Sequence, residues 1–185
     1  MKYINRYESP VGMIILESDG KNLTGLRFEI QSRVCDVTHG VECAVKELSV
    51  FEQTERWLDI YFSGRDPGFT PPLKVAGSNF QRMICDIMLT IPYGNTTTYG
   101  RIANRVKEKT EKTAMSAQAV GGAVGHNPIS VIIPCHRVVG TDGSLTGYGG
   151  GMDRKVYLLE NEGIDLKKSV DNRSEERRVG KECRS

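Results

Sequence analysis

The amino-acid sequence predicts a mixed α/β chain in two parts, on three observations. Two apolar runs in "MIILESDGKNLTGLRFE" meet at Asp19-Gly20, a residue pair that suits the tight turn of a β-hairpin. Apolar residues then recur at helical steps through "ELSVFEQTERWLDIYFSG". A Pro- and Gly-rich stretch, "SGRDPGFTPPLKVAGS", separates this first part from a second part of short helices around one apolar run.

Each element has its own signal. Leu48, Phe51, Glu55, Leu58 and Phe62 set the stripe of the first helix, Trp57 is expected in the core beside it, and Gly64 ends it. After the linker, Ser78 followed by Gln81 is a capping-box pattern. Phe80, Ile84, Ile87, Met88 and Ile91 continue as a helical stripe until Pro92-Tyr93-Gly94 stops it. Two short helices follow, "TTYGRIANRV" and "SAQAVGGAV", joined by the charged "KEKTEKTAM". The pair fits a helix-turn-helix whose second helix enters a DNA groove, and equally an ordinary helical hairpin whose Ala and Gly allow close packing. Beyond Asn127-Pro128 the run "ISVII" reads as a strand, ahead of Cys135-His136, a Thr-Asp-Gly turn and the loop "LTGYGGG". The last helix, "DRKVYLLENEG", is expected to be capped by Asp153 and stopped by Gly163. The expected division is residues 1–77 as an N-terminal α/β domain with linker, 78–166 as a second domain, and 167–185 as a disordered tail whose end looks non-native.

Composition narrows the class. A chain of 185 residues with 38% hydrophobic residues can bury a core, and its longest apolar runs, such as Val131 to Ile133, are far too short to span a bilayer. The first residues lack a long apolar region and a cleavage site, which points to the cytoplasm. Five cysteines, Cys35, Cys43, Cys85, Cys135 and Cys183, form an odd set without tight spacing and fit a reducing compartment. Net charge is only +2, but residues 96–113 hold five Lys/Arg against two Asp/Glu. Such a stretch suits phosphates, and suits a solvated helix face as well.

The chemistry centres on "IPCHRV". A free cysteine is usually a small buried hydrophobe, so a reactive reading needs support from its neighbours. In an extended segment Cys135 and His136 would point to opposite faces, which argues against a direct dyad. A sharp turn after Pro134, or a bridging water, restores proton-transfer reach. An imidazole held by a carboxylate would raise the thiolate fraction, and Glu162 is the candidate carboxylate. Metal readings are weaker: Cys35, His39 and Cys43 have a loose spacing unlike the close cysteine pairs of structural zinc sites, and no metal is assigned. "GYGGG" lacks the Lys-Ser/Thr of a phosphate loop.

Taken in order, "IPYGNTTTYGRIA", "SAQAVGGAVGHNPISVIIPCHRVVG", "GSLTGYGGG" and "LLENEG" resemble the O6-alkylguanine-DNA alkyltransferases, also called methylated-DNA-protein-cysteine methyltransferases. The resemblance is strong over residues 79–163 and weak before them. It implies a ribonuclease-H-like first domain and a winged-helix alkyltransferase domain. It also implies that Cys135 accepts the alkyl group, that His136 deprotonates it through water, that Glu162 holds that histidine, and that Asn127 is a hinge. Tyr99 matches a tyrosine that crowds the DNA backbone, Tyr148 one that packs beside the base, and the backbones of Val138 and Gly149 groups that read the guanine edge. Arg101 falls in the basic stretch, and Ala117, Ala119 and Gly121 match the minor-groove surface. Many members place an arginine wedge where this chain has Gln118, which lacks the guanidinium's charge and stacking plane.

The expected activity is a single-turnover DNA repair: O6-alkylguanine, and O4-alkylthymine as a further candidate, leaves the duplex stack and its alkyl group passes irreversibly to Cys135. The expected partner is double-stranded DNA, the expected state a monomer, and no cofactor or membrane is implied. Two rivals are a non-catalytic alkylated-DNA binder of similar fold, which lacks the cysteine, and a winged-helix regulator with a structural cysteine.

Overall fold

The computed structural model describes residues 2–29, 43–44, 47–110 and 115–166. The tail from residue 167, with Cys183, and Cys35 and His39 of the loose cysteine-histidine spacing lie outside them.

The Asp19-Gly20 hairpin forms as expected, between β2 (Gly12–Ser18) and β3 (Leu23–Phe28), which pair antiparallel. Asp19 Oδ1 accepts from the Lys21 and Asn22 N–H groups and holds the turn. A strand missing from the sequence reading, β1 (Lys2–Ser9), pairs antiparallel along the whole of β2, and β4 (Cys43–Ala44) joins β1 in parallel, giving the order β3-β2-β1-β4. Helix α1 (Ser49–Phe62) covers this sheet, but its buried face is rotated from the expected stripe. Val50, Phe51, Thr54, Trp57, Leu58 and Tyr61 point inward, whereas Glu55 stands at the rim and accepts from Asn5 Nδ2 at 2.7 Å. Trp57 packs in the core, its ring stacked on Tyr61 at 5.2 Å and its Nε1 donating to the Phe69 carbonyl. Fully burying side chains of this size contributes about 1.5–3 kcal/mol each.

The Pro/Gly-rich stretch is not a free linker. Leu23 N donates to Pro72 O at 2.8 Å and Lys74 N to Leu23 O at 2.9 Å, so part of it pairs with the outer edge of β3. The same edge also pairs with the second half: Leu26 N donates to Pro128 O and Ser130 N to Leu26 O, each at 2.9 Å. These bonds cover an edge strand that would otherwise expose a row of unpaired groups. They also fix the segment leading to Cys135 against the first domain.

In the second half α2 (Asn79–Leu89), α3 (Tyr99–Thr110) and α4 (Ala117–Gly125) pack together. Thr98 and Ser116 accept from the N–H groups of Arg101 and Ala119, capping α3 and α4. The capping box at α2 is only half made. Ser78 Oγ accepts from Gln81 N, but the Gln81 amide donates to the carbonyls of His126 and Ala123 at 2.8 and 3.3 Å, satisfying the orphan end of α4 instead. Short β5 (Thr97–Thr98) and β6 (Val138–Val139) pair in parallel, and α5 (Met152–Asn161) closes the domain. Asp153 lies in the first turn of α5 and is not its cap; the N-cap is Gly151, whose φ of 94° sets the entry of the chain.

Candidate active site

"ISVII" is not a strand, and the departure shapes the site. Only Ile129 makes a β-bridge. Ile132 N donates to Ser130 O at 2.8 Å around Val131, whose φ is 67°, a γ-turn conformation that a β-branched residue rarely adopts. A second turn follows, with Cys135 N donating to Ile133 O at 2.8 Å around Pro134 at φ −81° and ψ 65°. Those angles are those of an inverse γ-turn, whose φ the proline ring already supplies. The chain then enters one turn of 3₁₀-helix over Cys135–Arg137. Burial overrides the β-propensity of Val131, Ile132 and Ile133, all of which point into the core from a curled backbone.

Asn127 ties this curl together. Its Nδ2 donates to Ile133 O at 2.7 Å and to Cys135 Sγ at 3.1 Å, and its Oδ1 accepts from Ile129 N. Cys135 is 7% exposed. Burial pushes its thiol up, while the Asn127 bond, the nearby Lys155 ammonium and the N–H groups of Cys135 and His136 pull it down. A thiolate formed here is therefore surrounded by donors.

His136 is fully buried, and its Nε2 lies 2.6 Å from Glu162 Oε1 at the end of α5. A carboxylate accepts only, so Nε2 carries the proton and Nδ1 is left with a lone pair. Nδ1 is buried and has no hydrogen-bond partner among the described residues. Glu162 is held by more than the histidine. Arg137 donates Nε to Oε2 at 2.8 Å and Nη2 to Oε1 at 3.0 Å, and Gly94 N donates to Oε2 at 3.0 Å. Gly94 reaches it with φ at 73°, and a Cβ there would lie 3.3 Å from the Glu162 carbonyl. Burial alone would raise the Glu162 carboxyl, but the bonds and charges of His136 and Arg137 outweigh it and hold it at about 2. Burial lowers His136, so near neutral pH the histidine is uncharged and the permanently charged Arg137 is then the cation that keeps Glu162 ionised.

The other residues singled out by sequence lie around this centre. Tyr148 leans on Phe28 of β3 at 6.4 Å between ring centres, and its hydroxyl is buried without a hydrogen-bond partner among the described residues. Gly149 is exposed in the same loop. Val138 is buried, and its carbonyl accepts from Lys155 Nζ at 2.7 Å. Tyr99 starts α3 with its ring against Gly121 of α4, with no hydrogen bond to Cys135 or His136. Ala117, Gln118 and Ala119 form an exposed face of α4, Gly121 is half-buried beside it, and Arg101 is exposed on α3.

Comparison with known proteins decides the family. The family model described as 6-O-methylguanine DNA methyltransferase, DNA binding domain, matches residues 79–164, and that of the ribonuclease-like domain matches residues 2–75. The chain belongs to the 6-O-methylguanine DNA methyltransferases. It is 40% identical over 163 residues to a methylated-DNA–protein-cysteine methyltransferase of Haemophilus influenzae, covering 88% of this chain and 87% of that one. A relative of the same description from Methanosarcina acetivorans is 37% identical over 161 residues, 87% of this chain and 98% of that one. Among solved structures, Mycobacterium tuberculosis OGT in complex with DNA is 39% identical, covers 86% and 92% of the two chains and superposes with a TM-score of 0.74. A crystal structure of the O6-methylguanine methyltransferase of the same organism gives 0.70 at 40% identity, covering 88% and 93%.

The fold brings Asn127, Cys135, His136 and Glu162 into one contact group, and sets Tyr99 against Gly121 of α4. Sequence reasoning missed Arg137, Lys155, Gly94 and Tyr61. Arg137 stands in the quoted "PCHRV" and a buried carboxylate needs such a partner, so that signal was present. Lys155 is fully buried with Nζ on the Val138 and Thr146 carbonyls, and its position inside a charged helix gave no hint of this.

Proposed function

We infer that the protein moves an alkyl group from O6 of guanine in DNA to the Sγ of its own Cys135, once per molecule. The observation that carries this is the buried thiol held by Asn127 at 3.1 Å beside a neutral histidine fixed by an ionised glutamate, in a chain of this family. His136 Nδ1 is the nitrogen left to take the thiol proton, through the water relay that the family resemblance implies. The thiolate attacks the alkyl carbon, the C–S bond forms, and the electrons of the C–O bond stay on guanine, which takes up a proton to become the normal base. The thioether does not revert. Asn127, Lys155 and the local N–H groups favour the thiolate against the cost of burial.

A buried thiol cannot reach into a stacked duplex, so the lesion is rotated out, at a cost of a few kcal/mol. Tyr148, Val138 and Gly149 flank the space where the base would sit, and Tyr99 stands where α3 meets α4, next to the DNA. The exposed small residues of α4 suit the minor groove, with Arg101 on phosphate. A non-catalytic binder has no use for this grip on a thiol. Because every group comes from one chain and the thiol must stay reduced, we assign a monomer acting in the cytoplasm. Among the described residues no helix is long and apolar enough to cross a membrane.

Duplex DNA carrying one O6-methylguanine is the test substrate. Methyl loss should stop when one lesion per protein molecule has been repaired, with one thiol lost in step. Continued turnover beyond equivalence would overturn the reading. A further expectation concerns Gln118: Gln118→Arg should speed transfer on the duplex more than on free O6-methylguanine base, because only the duplex has to be kept unstacked. An equal change in both rates would place Gln118 away from the wedge.

A further inference from the structure

We propose that the Tyr61 hydroxyl, supplied by the first domain, is a positioning group that sets the basicity of the His136-Glu162 pair. Tyr61 is fully buried near the C-terminus of α1. Its Oη lies 2.9 Å from Glu162 Oε1, 3.2 Å from His136 Nε2 and 3.5 Å from the Leu158 carbonyl, and its ring meets the imidazole edge-on at 6.3 Å. The direction of the first bond is fixed by chemistry: a carboxylate only accepts, so the phenol donates. His136 Nε2–H and Tyr61 O–H therefore draw on the same carboxylate oxygen. Each donor to that oxygen disperses its charge and weakens its hold on the histidine proton.

Removing the hydroxyl returns that charge to the Nε2–H bond. The imidazolium is then better stabilised, and His136 binds its second proton at higher pH. Other charged and titratable groups face the pair from every side: Arg137 from the 3₁₀ turn, Lys155 from α5, Cys135 beside it, Tyr93 after α2 and Tyr148 from the glycine-rich loop. Arg137 stays cationic throughout, Tyr61, Tyr93 and Tyr148 are pushed up and stay neutral, and Lys155 titrates only at about 8. On the acid side of neutrality His136 is thus the group whose protonation would be seen.

The proposal rests on the reading of Cys135 as acceptor and His136 as its base. The experiment measures single-turnover methyl transfer from an O6-methylguanine duplex between pH 5 and 9. It compares wild type, Tyr61→Phe, protein with 3-fluorotyrosine at position 61, and Tyr93→Phe, whose lost hydroxyl donates to the Asn161 carbonyl. Tyr61→Phe should move the acid limb up by about half a pH unit to one unit, a loss of about three- to tenfold at its foot with the plateau kept. Fluorotyrosine, a stronger donor, should move the limb down, and Tyr93→Phe should leave it in place. A Tyr61→Phe profile that overlays the wild type, or one lowered by the same factor at every pH, overturns the proposal. If Tyr61→Phe fails to fold, an unshifted fluorotyrosine profile overturns it. A wild type with no acid limb removes the reading of His136 itself, which separates that failure from this one.

Discussion

Cys135→Ala should abolish alkyl transfer while duplex binding stays intact. The exposed face of α4 and the basic side of α3, not the buried thiol, would carry the DNA contacts. The substitution leaves the local curl in place, because Asn127 Nδ2 keeps its bond to the Ile133 carbonyl and the Pro134 turn does not involve the sulfur. Nor can Cys85, the other buried cysteine among the described residues, take over. Burial pushes the Cys85 thiol up to about 11, so it is almost wholly protonated at neutral pH. Gel-shift titration beside transfer from a labelled lesion checks both halves, and transfer at a rate near wild type would remove Cys135 from its role.

The second large effect is on stability. Arg137→Met should cost about 3–5 kcal/mol at neutral pH, the usual penalty when one partner of a buried ion pair is removed. Arg137 gives Glu162 three hydrogen bonds and also donates Nη1 to the Ile91 carbonyl at 2.6 Å, with the guanidinium 5.7 Å from the Tyr93 ring. Methionine fills the volume and leaves the carboxylate without its permanent counter-charge. The pH dependence carries a second signature. The wild-type carboxyl is held at about 2, below its unfolded value near 4.5, so its stabilisation is present above that unfolded value and lost as pH falls towards 2. In Arg137→Met the folded value rises and this acid-side loss shrinks. Urea midpoints at pH 7 and pH 4 measure both effects, and equal midpoints for the two proteins at pH 7 would contradict the account.

What could be read in the sequence was what depends on neighbours along the chain. Asp19-Gly20 places a turn, the spacing from Leu48 to Phe62 makes a helix, and "PCHRV" with "LLENEG" carries the resemblance to the alkyltransferases. What could not be read depends on tertiary partners. β1 has the composition "KYINRYES", polar enough to pass as a loop until β2 pairs with it. "ISVII" carries a strand's side chains but curls because the core takes them from a bent backbone and Asn127 supplies the side-chain bonds. Gln81 looks like a capping residue of its own helix, yet finds stronger need at the end of α4. Tyr61 lies three residues beyond Leu58 on the buried face, but the apolar spacing through Glu55 and Phe62 passes it by, so nothing in the sequence marks a hydroxyl within reach of Glu162.

The measurement that bears most directly on the central claim is the mass of the peptide carrying Cys135 after the protein has met O6-methylguanine duplex DNA. The account predicts a gain of one methyl group on that peptide alone, matched mole for mole by unmodified guanine in the DNA. A methyl group on any other peptide, or repaired guanine with the Cys135 peptide unchanged, would contradict it.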